Sequence, residues 1–211
     1  MEQVSNILFW ISSGLLVPVI VGLLFFFAKS IVMLGGFAGQ YIQRVKQDKQ
    51  LRQRMDQLDR STIHTFSEEL KDQPDSLFTQ TAGLLLATDS TAVANRVLSE
   101  YEVTADAELG KYKVLVKFGP ILGLMGTLIP MGPALAGLST GDISSMAYNM
   151  QVAFATTVLG LFSGAVGFIL LQVKQRWFTS DLVYLDFLSE LSREKPVAAK
   201  TTLVTAKAVN E

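Results

Sequence analysis

The stretch that decides the fold is FGPILGLMGTLIPMGPALAGLSTG, running from Phe118 to Gly141 as 24 residues without one charged side chain. A helix needs about 20 mainly apolar residues to cross the hydrocarbon core of a bilayer, so this run is long enough to span. Outward from it, Asp142 interrupts, and a second charge-free run of 31 residues follows from Ile143 to Val173. A third, of 26 residues, lies near the N-terminus from Gln3 to Ala28. Three such helices buried in a soluble protein would need an unusually large fold around them. The composition agrees with a membrane class: 18% of the 211 residues are charged, against about a quarter in soluble domains, and mean hydropathy is +0.35. The expected fold is an all-α integral membrane protein with three transmembrane helices and a helical cytoplasmic domain. The first run lacks the basic segment that precedes a secretory signal, and Lys29 follows its apolar part, so it reads as a span and not a cleaved peptide.

Orientation follows from the positive charges. All 18 Lys and Arg lie between Lys29 and Lys117 or from Lys174 onward, leaving the N-terminal tail and the Ser139–Ala147 connector with none. By the positive-inside rule, the N-terminus and that connector face outside, and the long loop and C-terminus face the cytoplasm. In a bacterial cell this is a multi-pass protein of the inner membrane. Trp10 and Tyr148 near the outer face, with Trp177 near the inner, fit aromatic belts.

The cytoplasmic part also reads as helical. Arg44 to Arg60 is rich in Gln, Lys, Arg and Leu, all good helix formers. Asp72-Gln-Pro-Asp75 is a break after which Asp75 or Ser76 caps a short helix, Leu77 to Ala87. Asp89-Ser90 opens another helix from Thr91, continuous with the second span. The third run exceeds the bilayer: 31 residues at 1.5 Å each give roughly 46 Å against a core of about 30 Å. Phe178, Leu182, Leu185, Leu188 and Leu191 prolong its helical spacing into the cytoplasm as far as Pro196. The expected organisation is a first span with its extension (1–39), a cytoplasmic helical domain (40–112), a channel hairpin (113–173), a cytoplasmic extension (174–195) and a flexible tail (196–211).

The hairpin carries the functional signal. Gly119, Gly123, Gly126, Thr127, Pro130 and Ala134 recur at three- and four-residue intervals and form one small-residue face of the second span. Ala153, Thr156, Thr157, Gly160, Ser163, Gly164 and Gly167 do the same on the third. Small faces let membrane helices approach closely where lipid gives no hydrophobic drive for association. For any single glycine an intramolecular packing seam is the plainer reading. Two such faces with mid-membrane threonines also suit an oligomer whose inner wall lets another helix slide or turn. Pro130 and Pro133 each remove a backbone donor and free a carbonyl one turn earlier, which must then face protein or water. A freed carbonyl beside Thr127 can coordinate or relay a cation; a packed kink without an ion role is the equal alternative. No Asp, Glu, Lys, Arg or His lies inside any of the three runs. Ion pathways normally hold an ionisable group, so either this chain moves no ions or a partner supplies the charge.

The run Lys111-Tyr112-Lys113 through Gly119-Pro-Ile-Leu-Gly-Leu-Met-Gly-Thr-Leu-Ile-Pro130, then Ala153-Phe-Ala-Thr-Thr-Val-Leu-Gly-Leu161, resembles the MotA/TolQ/ExbB proton channel family. The three-span layout is closer to TolQ and ExbB than to four-span MotA. The resemblance implies a homopentamer enclosing the single helices of an ExbD/TolR/MotB-like partner, whose membrane aspartate carries the ion. It implies that Thr127 and Thr157 line the channel, with Thr156 an additional hydroxyl and Pro130 beside the path, and it needs no cofactor. Gly119, Gly123, Gly126, Gly160 and Gly164 are the expected helix-packing positions. The chain departs from the family pattern at Val152, where ExbB-like members tend to have glutamate, and in its Pro130-x-x-Pro133 pair.

Other functions find little support. A net charge of −1 argues against a nucleic-acid partner, and zero cysteines with one histidine exclude disulfides and the usual zinc sites. No nucleophile–base pair or phosphate loop points to an enzyme. His64 reads as a solvated side chain, Asp142 as a helix cap, and Lys117 as snorkelling to the inner interface. Against the ion-channel stator stands one alternative, a structural membrane scaffold without conduction.

Overall fold

The computed structural model describes residues 2–55, 62–71 and 76–193. Five helices account for these residues: α1 (Glu2–Met55), α2 (Ile63–Lys71), α3 (Leu77–Leu86), α4 (Thr91–Thr140) and α5 (Ile143–Arg193), and there is no strand among them. Three are long and apolar enough to cross a membrane. The expected Asp72–Asp75 break, the stop at Pro196 and the tail 196–211 fall outside the described residues.

The long helices behave largely as their composition predicts. The helix begun at Thr91 does run without interruption into the second span, and the third continues past its charge-free run to Arg193. The apolar stretch of the first covers Trp10–Ile42 and continues through Lys29. One lysine does not end it, because a long aliphatic stem can lie along the helix while its ammonium leaves the hydrocarbon. The Lys29 Nζ sits 6.0 Å from the Phe25 ring centroid.

The chain forms two compact units, 1–53 with 104–179 and 54–103 with 180–211. In the first, α1 packs on the hairpin of α4 and α5. Phe26 stacks on Phe118 with centroids 6.3 Å apart, and Phe27 meets Phe162 at 5.5 Å. Further toward the basic helix ends, Leu109, Tyr112, Val166 and Leu170 form a buried cluster against Met33 and Phe37. In the second unit, Phe66, Leu70, Phe78, Ala82, Leu85, Tyr101, Leu185 and Leu188 are buried. Ser76 caps α3 through a reciprocal capping box with Thr79. The buried Tyr101 hydroxyl donates to Asp181 at 3.2 Å.

The connector is a Schellman turn. Asp142 N–H donates to the Gly137 carbonyl (2.8 Å) and Gly141 N–H to that of Leu138 (3.2 Å), with Gly141 at φ 78°. A left-handed residue is needed at that position, and glycine takes it without a steric penalty. Asp142 then caps α5, its Oδ1 accepting from Ser145 N–H at 3.0 Å.

Candidate functional site

The hairpin is held by a seam of glycines with a single register. Gly119 lies against Gly160 and Gly164, Gly123 against Gly160, Gly126 against Thr156, and Gly137 beside Met146. A Cβ at Gly160 would lie 2.6 Å from the Gly119 carbonyl oxygen and 2.7 Å from the Gly123 Cα. Gly164 meets the Pro120 ring, where an added Cβ would come within 2.7 Å of Cγ. The two small-residue faces therefore meet each other inside one chain, and their glycines are occupied in this contact.

The threonines divide. Thr156 is buried and fills the space beside Gly126, its hydroxyl donating to the carbonyls of Ala153 (2.9 Å) and Val152 (3.1 Å). Thr127 and Thr157 are half-buried at the margin of the seam. The Thr127 hydroxyl donates to the Leu124 carbonyl at 2.7 Å, three residues back, and Thr157 to that of Ala153 at 3.2 Å. Each of these hydroxyls has used its one proton locally and keeps lone pairs that can accept from water or an acid.

Pro130 is fully buried and Pro133 partly so. Both lie within an unbroken α4, which also contains Pro120. Pro120 and the buried Ser30 were not singled out in the sequence; the buried Ser163 was read only as part of the small-residue face. Ser163 donates to the Leu159 carbonyl (2.8 Å) and Ser30 to that of Phe27 (2.7 Å), which satisfies both hydroxyls inside an apolar bundle. Among the described residues no group of acidic, His or Cys side chains is arranged to hold a metal.

Long apolar helices, a close-packed hairpin and hydroxyls without ionisable groups in the charge-free runs define a multi-pass α-helical membrane protein. Residues 87–183, which include this hairpin, match the model of the MotA/TolQ/ExbB proton channel family. The chain is also similar to Motility protein A of Cereibacter sphaeroides, at 33% identity over 121 residues, 54% of this chain and 46% of that protein. The match thus spans about half the length of this relative. No solved structure matches the chain.

Proposed function

We propose that this chain is the channel-forming stator subunit of a proton-gradient-driven membrane motor, working as a homopentamer around a single-span ExbD/TolR/MotB-like partner. The observation that carries this reading is a hairpin that matches the proton channel family's model and has no Asp, Glu, Lys, Arg or His in its charge-free runs. A proton crossing such a wall needs a carboxylate from elsewhere, and a partner's membrane aspartate supplies one at the depth of the threonines. The partly exposed Thr127 and Thr157 hydroxyls offer acceptors toward it. The N-terminus and the hairpin turn face the periplasm, and the basic helix ends face the cytoplasm. Similarity to a protein named for motility favours force or rotation as the output.

The test is proton flux in liposomes. The chain is reconstituted with and without a co-expressed single-span protein bearing a membrane Asp, and internal pH is followed after imposing a gradient. Uptake that needs both chains, and is lost on changing that Asp to Asn, is the expected result. No flux from a fully assembled complex would favour the scaffold.

A further inference from the structure

Past its buried Ser30, α1 changes character. Residues 35–39 read Gly-Gly-Phe-Ala-Gly, three glycines in five positions. Gly35, Gly36 and Gly39 are exposed, and a Cβ added to any of them meets nothing within 4 Å. The hairpin glycines differ, since Gly119, Gly123 and Gly160 make close backbone contacts that a Cβ would break. Among the described residues, then, no neighbour requires glycine at 35, 36 or 39. Their effect is on the helix itself, because glycine is the poorest helix former after proline.

The same segment is held by aromatic rings within the first compact unit. Phe37 stacks on Trp177 of α5 with centroids 5.4 Å apart and 14° between planes, and Tyr41 lies 6.0 Å and 30° from the same indole. Tyr41 also meets Phe37 at 5.9 Å, so the three rings form one cluster. The Lys174 Nζ, 5.3 Å from the Trp177 centroid, adds a cation–π contact. Counted from Trp10, about 20 residues of α1 cross a core roughly 30 Å thick and end near Ser30. Gly35 lies five residues further, roughly 7 Å along the helix, at the level where Trp and Tyr are favoured and water is present. A bend there can hydrate the carbonyls it frees, which a bend in hydrocarbon cannot.

We propose that residues 35–39 are a hinge in α1, and that the Phe37, Tyr41 and Trp177 rings are the clasp that keeps α1 one continuous helix across it. Stacked aromatic pairs each contribute modestly beyond the area they bury, so a clasp of this kind can open and close. With the rings packed, α1 runs unbroken to Met55. With them parted, the three unopposed glycines are where α1 bends, and the rest of the helix turns with them. That remainder is the covalent link to the second compact unit, which begins at Arg54. Alanine would fit at each of the three positions without a clash and would stiffen the helix. The device needs neither an ion pathway nor a partner chain.

The chain has no cysteine, so spin labels on Val45→Cys of α1 and Gln172→Cys of α5, both exposed positions, report the hinge. The labelled chain is mixed with excess unlabelled chain in liposomes, and double electron–electron resonance reads the distance within one chain. One dominant distance is expected for the parent. Tyr41→Ala and Trp177→Ala should each raise the population at a second distance about fivefold. Changing Gly35, Gly36 and Gly39 together to alanine should return both variants to the dominant distance, with the assembly state unchanged by native mass spectrometry. A distribution that neither ring variant moves would overturn the proposal. So would a second distance that persists with the three alanines, which would put the bend elsewhere. Loss of assembly by the alanine chain would also overturn it, making the glycines a contact between copies. If Trp177→Ala fails to insert, Tyr41→Ala carries the same test.

Discussion

A Cβ added to Gly126 would sit 2.6 Å from the Thr156 Cβ and 2.7 Å from its Oγ1. Thr156 thus occupies the space that a side chain at 126 would need, and its own hydroxyl is directed back to Ala153 and Val152. Of the three candidate threonines Thr127, Thr156 and Thr157, Thr156 is a packing residue by geometry.

Gly126→Ala should therefore lower the melting temperature in detergent, at a cost of about 1–3 kcal/mol from overpacking. Adding Thr156→Gly should recover part of that loss, because it empties the opposing position. Gly160→Ala should be worse, since its Cβ would press on backbone atoms of Gly119 and Gly123, which cannot rotate away. Gly14→Ala meets nothing within 4 Å and calibrates the intrinsic gain of alanine in a helix. Equal melting temperatures across the series would mean that the seam is looser than described. The same contacts imply that leucine at Gly123 or Gly164 disrupts the hairpin before any assembly step.

The buried Tyr101–Asp181 bond joins α4 and α5 in the second unit. Tyr101→Phe removes a donor from a carboxylate in a dry environment and should cost about 1–3 kcal/mol. Asp181→Asn keeps an acceptor for the tyrosine and should cost less. Limited proteolysis of the membrane-embedded protein can rank the two; an unchanged digestion rate for Tyr101→Phe would show that the bond contributes little.

Because the chain has no cysteine, single cysteines report topology without background. A membrane-impermeant thiol reagent should label Ser5→Cys and Ser144→Cys from the periplasmic side and leave Gln53→Cys unlabelled in intact cells. The opposite pattern would invert the orientation.

The three long helices were legible because charge is a strong signal: a run of 24 to 31 uncharged residues has few other uses. That the apolar stretch of α1 runs on through Lys29 to Ile42 was less legible, since a sequence shows a charge but not whether its stem snorkels. Helical spacing showed which small residues share a face. It could not show what that face meets, and the structure sets Gly119, Gly123 and Gly126 against α5 of the same chain. Likewise, Tyr101 and Asp181 are 80 residues apart, and no local pattern connects them. The threonine bonds show the same limit on a smaller scale: Thr157 bonds four residues back, to Ala153, and Thr127 three back, to Leu124, a difference that helical spacing does not reveal.

Thr127 and Thr157 are the positions on which the ion-path proposal depends. Both hydroxyls donate to a carbonyl of their own helix, an arrangement that satisfies them without any ion. Both nevertheless stay half-exposed, so their acceptor lone pairs remain available to a water or a protonated carboxylate. Substitution separates packing from relay. Thr→Val keeps the shape and removes the hydroxyl, while Thr→Ser keeps the hydroxyl and removes a methyl. In the partner-containing complex, Thr127→Val and Thr157→Val should each reduce proton flux at least tenfold, equivalent to about 1.4 kcal/mol of barrier, with the oligomer intact by native mass spectrometry. The serine variants should retain most of the flux, and Thr156→Val should affect melting more than flux. If both valine variants assemble and conduct at the normal rate, Thr127 and Thr157 only pack the hairpin, and the proton must pass elsewhere along the wall.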